Sequence, residues 1–237
     1  MRVRSASPPR LPKWVSVFGA VSVILLITSQ ALALFGTPPD RDMGETMKIL
    51  YVHVPSAWIA FLAFGTVAFG SVMYLWKRDL RFDVFAAAAA ELGTVLIALT
   101  IVQGSIWARP TWGVWWTWDP RLTTTAIMLL VYAGYLALRS FTDDEERRAR
   151  WSAAVGIIGA INVPIVWYSV KWWRTIHQVQ STTESVDDIF LAAFLLNLAT
   201  FTLFFVYLLL TRFHVAQLER AADARLEERA IGGVIHV

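Results

Sequence analysis

The 237-residue chain contains no cysteine. That absence excludes disulfides, thiolate metal sites, iron–sulfur clusters and cysteine nucleophiles together, and leaves the redox compartment open. Charge is scarce as well. Asp, Glu, Lys and Arg make up 16% of the residues, against about 25% in an average soluble domain. Histidine is scarcer still, at four residues. No P-loop, glycine-rich nucleotide fingerprint, internal repeat or low-complexity linker appears beyond the Pro-containing N-terminus. What fills the chain is apolar: 57% hydrophobic residues, a mean hydropathy of +0.53, and 12 tryptophans. Soluble domains average about 45–50% apolar. The balance is that of an integral membrane protein.

Runs without Asp, Glu, Lys or Arg give the organisation. Trp14–Pro39 runs 26 residues, Ile49–Trp76 28, Leu122–Leu138 17, Trp151–Val170 20 and Ile189–Thr211 23, while Val84–Ala108 is interrupted only by Glu91. A helix needs about 20 mostly apolar residues to cross the hydrocarbon core, with about 17 acceptable. The runs do not alternate in polarity as transmembrane strands would. The first run follows a basic N-terminus, as a signal peptide would, but it is too long for one. The expectation is an all-α integral membrane protein, a bundle of six transmembrane helices. A cytoplasmic N-terminus (1–13) precedes the membrane domain (14–211), and a charged cytoplasmic tail (212–237) follows it.

Orientation comes from Lys and Arg. With six spans, both termini and the loops near 77–83 and 139–150 share one side, which holds 15 of the 21 basic residues. The other side holds 6: Arg41, Lys48, Arg109, Arg121, Lys171 and Arg174. The excess marks the first side as cytoplasmic, so segments 36–50, 108–121 and 169–188 face outward. The net charge of +3 is then a topological label with no bearing on nucleic acid. The tail from Arg212 is expected to be a solvated helix, with Val215, Leu218 and Ala222 on one stripe.

The tryptophans are distributed unevenly. Trp14, Trp76 and Trp151 fall near the cytoplasmic interface, and the other nine fall near the outer one. Aromatic belts normally decorate both interfaces. The concentration peaks in a Trp-rich outer loop, Trp107 to Asp119, which includes Trp112, Trp115, Trp116 and Trp118. Two readings stand level: an amphipathic segment in the headgroup zone, or a platform of indole faces for a large, flat, apolar ligand.

Two of the four histidines, His214 and His236, lie in the tail. His53 sits at the outer mouth of span two, and His177 in the last outer loop. Two imidazoles from different loops beside an indole-rich segment can supply both axial ligands of a haem iron. A zinc site would need further ligands, for which Asp119 or Glu184 would serve, so zinc stays open. Arg109, Arg121, Lys171 and Arg174 would pair with carboxylates such as haem propionates or with lipid headgroups. Glu91 is the one ionisable group within a span, expected to reach the cytoplasm or a neighbouring helix. Asn162 and Pro164 suggest a local break or kink in span five. No general acid–base pair or activated nucleophile stands in the outer loops, so no enzyme is expected.

Trp112-Gly-Val-Trp-Trp-Thr-Trp-Asp-Pro-Arg-Leu-Thr123 resembles the tryptophan-rich WWD signature of haem-handling membrane proteins of cytochrome c maturation. The segments Val52-His-Val-Pro-Ser-Ala-Trp58 and Asn162 to Gln178, together with the six-span length, are similar to the CcmC branch of that family. The resemblance implies haem b bound for transfer at the periplasmic face of a bacterial inner membrane. It makes His53 and His177 the axial ligands, and Trp112, Trp115, Trp116, Trp118, Asp119 and Arg121 the presenting segment. It further implies delivery to the haem chaperone CcmE and association with CcmA, CcmB and CcmD, with membrane lipid around the spans and no nucleic acid. One departure is Val179, where the family pattern carries glycine. The alternative is a transport subunit that moves haem or another solute across the membrane. That reading calls for polar groups along the spans, and Glu91, Gln103 and Asn162 are the ones that stand out.

Overall fold

The computed structural model describes residues 11–177 and 188–234. Gln178, Val179, Glu184, His236 and the N-terminal arginines up to Arg10 lie outside the described residues. Six helices account for nearly everything else: α1 (Lys13–Gly36), α2 (Leu50–Lys77, preceded by a 3₁₀ turn Glu45–Ile49), α3 (Leu80–Trp112), α4 (Pro120–Ser140), α5 (Glu145–Trp172) and α6 (Asp188–Val234). Each contains a stretch long and apolar enough to cross a membrane. The six expected spans are therefore present. Among the described residues the only strand-like pairing is an isolated bridge between Asp40 and Gly44.

The helices start and stop on local chemistry. Asp79, Asp119 and Asp144 cap α3, α4 and α5, each carboxylate accepting a backbone N–H of the first turn. Gly113 ends α3 in the left-handed region at φ 79°, its N–H donating to the Arg109 carbonyl. Two sequence expectations shift here. The helix α3 runs through Pro110 to Trp112, so Trp107 and Trp112 are helical and only Gly113–Asp119 is loop. The helix α5 runs unbroken through Pro164, and Asn162 lines no break: its Nδ2 donates to the Thr124 carbonyl of α4 at 2.8 Å.

Small residues let the helices approach closely, as membrane interfaces require. At Gly93 a Cβ would stand 2.7 Å from Phe64, and at Gly70 2.9 Å from the Phe82 carbonyl, which brings α2 against α3. Phe64 and Tyr132 stack at 3.7 Å in the centre of the bundle. The first helix lies on α6: Gly19 sits under Tyr207, and a polar knot joins the two helices further along. In that knot Asn197 Oδ1 accepts from Ser29 Oγ at 3.2 Å and Gln30 Nε2 at 2.5 Å, and the Ser29 and Thr200 hydroxyls pair at 2.8 Å.

At the end holding the α3 and α5 N-termini, ion pairs tie the helices together. Asp83 of α3 receives both Arg139 nitrogens of α4, at 2.6 and 2.9 Å, and the pair is almost fully buried. Of the two outcomes expected for Glu91, the structure shows contact with a neighbouring helix: it takes Arg212 of α6 at 2.5 and 2.9 Å. The charged tail continues α6 without interruption, and Arg220 reaches Glu145 of α5 at 2.6 Å. The tail is thus helical as expected, but its first turns are docked.

Candidate functional site

The opposite end gathers the tryptophans. Loop Gly113–Asp119 is fastened at three points. Ser105 Oγ donates to the Trp115 carbonyl at 2.7 Å, Arg109 Nη1 donates to the Gly113 carbonyl, and Asp119 closes the far side. Asp119 is buried and uses both oxygens. Oδ1 accepts the Arg121 N–H at 3.0 Å, capping α4, while Oδ2 accepts the Ile176 N–H at 2.9 Å. The aspartate therefore holds the segment that carries His177 against the indole loop. Beside it, the His177 N–H donates to Thr175 Oγ1 at 3.0 Å.

Each histidine has its own indole. His53, in the first turn of α2, meets Trp107 edge-on at 5.7 Å, and His177 meets Trp112 edge-on at 5.9 Å. His177 and Arg121 lie near enough for their charges to bear on the His53 ring, and the Thr100 carbonyl is within its reach. Trp116 and Trp118 are mutually edge-on at 5.7 Å. Trp115 and Trp118 present 58% and 78% of their surface outward, so the loop covers the site with exposed indoles.

Buried polar atoms normally have partners, and leaving one unpaired costs about 1–3 kcal/mol. At this end six such atoms, His53 Nδ1, Gln103 Oε1, Trp107 Nε1, Thr117 Oγ1, Arg121 Nη1 and Thr123 Oγ1, are buried and make no hydrogen bond. Others, among them Ser71, Tyr135, Arg148, Ser152, Thr211 and His214, lie toward the opposite end, so it is the chemical kinds gathered here that distinguish this set. Imidazole, indole N–H, guanidinium and hydroxyl groups among indole faces suit a flat apolar ligand with a metal centre and carboxylate edges. Among the basic residues singled out from sequence, Arg109 is engaged with Gly113 and Lys171 lies over the Tyr168 ring at 5.6 Å, whereas Arg121 has a buried free nitrogen. Among the described residues no group of three His, Asp or Glu converges as a bare metal site would require.

Sequence reasoning passed over one helix face. Thr100, Gln103, Gly104 and Trp107 recur at the spacing of a single α3 stripe, and that stripe backs His53 through the Thr100 carbonyl, the Gly104 surface and the Trp107 ring. Two open apolar clefts of about 470 and 290 Å³ flank α2 around Trp58 and Phe61 and contain none of the six atoms. They are grooves on the face that lipid would coat.

The sequence matches the family described as Heme exporter protein C over residues 6–228. The chain belongs to that family. Heme exporter protein C of Bradyrhizobium diazoefficiens is 39% identical over 204 residues, covering 84% of this chain and 76% of its own. The protein of the same name in Escherichia coli is 34% identical over 188 residues, covering 77% and 76%. A putative cytochrome c biosynthesis ccmC-like mitochondrial protein of Marchantia polymorpha is 35% identical over 175 residues, covering 73% and 74%. Membership of the haem exporter C family and a six-helix bundle able to span a membrane thus stand together.

Proposed function

We propose that this chain binds haem b at its tryptophan-rich end and hands it on for cytochrome c maturation. On this reading that end faces the periplasm of a bacterial inner membrane, consistent with the distribution of basic residues. His53 and His177 ligate the iron from two sides, Trp107 and Trp112 wall the ring, and Arg121 takes a propionate. The exposed Trp115 and Trp118 leave an edge where a partner can approach. That partner is the haem chaperone CcmE, and CcmA, CcmB and CcmD complete the assembly. Haem is cargo here, and the chain's own residues hold, orient and release it without making or breaking bonds in it.

The observation that carries the proposal is the pairing of two histidines from separate segments, each against its own indole, among six buried polar atoms without partners. A transmembrane conduit is less well supported, because two of the three polar groups that stand out along the spans, Glu91 and Asn162, are spent on contacts between helices, while Gln103 lies on the α3 stripe that backs His53.

The test is the visible spectrum and haem content of the purified protein, compared with His53→Ala and His177→Ala. Each substitution is expected to convert a six-coordinate spectrum to one that added imidazole restores. If both variants keep the parental spectrum and occupancy, bis-histidine ligation is wrong. Delivery is checked separately by cross-linking the Trp115–Trp118 loop to CcmE; contacts made only by the Arg212–Val234 helix would refute it.

A further inference from the structure

We propose that Gly104 is the positioning residue for His53: the α3 surface is left bare there so that the imidazole seats its edge on the helix, and this seat sets the plane in which His53 meets its ligand. A Cβ on Gly104 would stand 3.0 Å from His53 Cε1, 3.7 Å from Nδ1 and 3.8 Å from Nε2. Nearly equal distances to the two nitrogens mean that the ring aims its Cε1 edge at α3, with one nitrogen to either side. Carbon atoms in contact prefer about 3.5–4.0 Å, so any side chain at 104 pushes the ring outward. Nδ1 is buried and meets no partner at full hydrogen-bond geometry, so packing on α3, with the Thr100 carbonyl of the same stripe, orients the ring. Trp107, three residues further along α3, closes one side edge-on at 5.7 Å.

The other close-packed glycines do different work. Gly70, Gly93, Gly156 and Gly159 admit core side chains or backbone of neighbouring helices, and Gly65 and Gly134 meet nothing within 4 Å. Among the described glycines, Gly104 is the one whose neighbour is a histidine. The role is positional, since Gly104 offers no group to a ligand. It acts by fixing the imidazole before the ligand arrives, which lowers the ordering cost of binding.

The inference rests on the proposed ligation by His53, and the experiment separates the two. Full-length Gly104→Ala and Gly104→Val are purified with haem beside His53→Ala and Gly134→Ala, and spectrum, haem dissociation rate and apoprotein melting are recorded. A ring forced off its rotamer would lose haem roughly tenfold faster. The expected Gly104→Ala spectrum moves toward that of His53→Ala and is recovered by imidazole, Gly104→Val goes further, and Gly134→Ala matches the parent. Apoprotein melting holds or rises, since alanine favours helix over glycine. Parental spectra and rates in both Gly104 variants, alongside an altered His53→Ala, would overturn the seat and leave ligation standing. An unaltered His53→Ala would overturn both. If Gly104→Ala accumulates poorly, the double variant with His53→Ala decides: recovery supports the seat, and a persistent defect refutes it.

Discussion

At the scale of single residues, Asp119 has the largest consequence for its size. Its two oxygens cap α4 and hold the Ile176 N–H, so one carboxylate fixes the indole loop and the His177 segment together. Asp119→Ala removes a cap worth about 0.5–2 kcal/mol and frees the His177 segment as well. The expected outcome is a lower melting temperature and faster amide exchange at Ile176, read by hydrogen–deuterium exchange mass spectrometry. Asp119→Asn keeps an acceptor for one N–H and should fall between the two. Half of this carries a local signal that sequence reasoning left unused: Asp119-Pro120 is the pattern of a helix cap followed by proline in the first turn. The other half carries none, because Ile176 is 57 residues away and no local pattern records a contact of that range. The Gly104 contact was hidden for the same reason. It exists only once α2 and α3 are side by side.

At the scale of elements, charge-free runs revealed how many helices there are but misjudged where they end. The helix α3 passes Arg109 and Pro110 because Gly113, the residue able to adopt φ 79°, sets the stop, whereas the first charge does not. Pairing between helices was also invisible, since Asp83 and Arg139 each look like ordinary loop-edge charges. With side chains only 5% and 15% exposed, that bidentate pair is a strong candidate for mutual dependence. Asp83→Asn should cost about 3–5 kcal/mol by stranding a guanidinium, and the double change Asp83→Leu with Arg139→Leu should restore most of it. Detergent-solubilised unfolding curves of the two variants make the comparison. Glu91 and Arg212 are more open, at 38% and 31%, so solvent screening applies. A double-mutant cycle there should return roughly 1 kcal/mol or less, shrinking with added salt. At the α1–α6 contact, Gly19→Val collides with the Tyr207 ring, which occupies the space a Cβ would need, and should detach α1 as judged by protease sensitivity in detergent. Gly134→Ala, with open space around it, should leave that readout unchanged.

At the scale of the whole molecule, the two ends divide the labour. One end is knotted by ion pairs between α3, α4, α5 and α6, and the other gathers indoles and both histidines; buried polar atoms without partners occur at both, Ser71, Arg148 and His214 toward the first and His53, Trp107 and Arg121 at the second. A ligand arriving at the second end meets polar groups whose burial has already been offset by the rest of the fold, the usual arrangement of a preorganised site. Haem binding should therefore raise the melting temperature of the parent, by an amount growing with free haem concentration. The double variant His53→Ala with His177→Ala should show no such rise. Composition announced this asymmetry through the nine tryptophans on one side, while the partners of those indoles had to await the bundle.

The sixth helix has a mechanical consequence. Its 47 residues form a rod of about 70 Å, while the hydrocarbon layer it crosses is about 30 Å thick. More than half of the rod thus stands clear of the bilayer, and beyond the stretch packed on α1 and the core it is tied to the bundle by Arg212 and Arg220. Leverage follows from that length alone: a tilt of a few degrees at the membrane would sweep the far tip of a helix this long through several ångström.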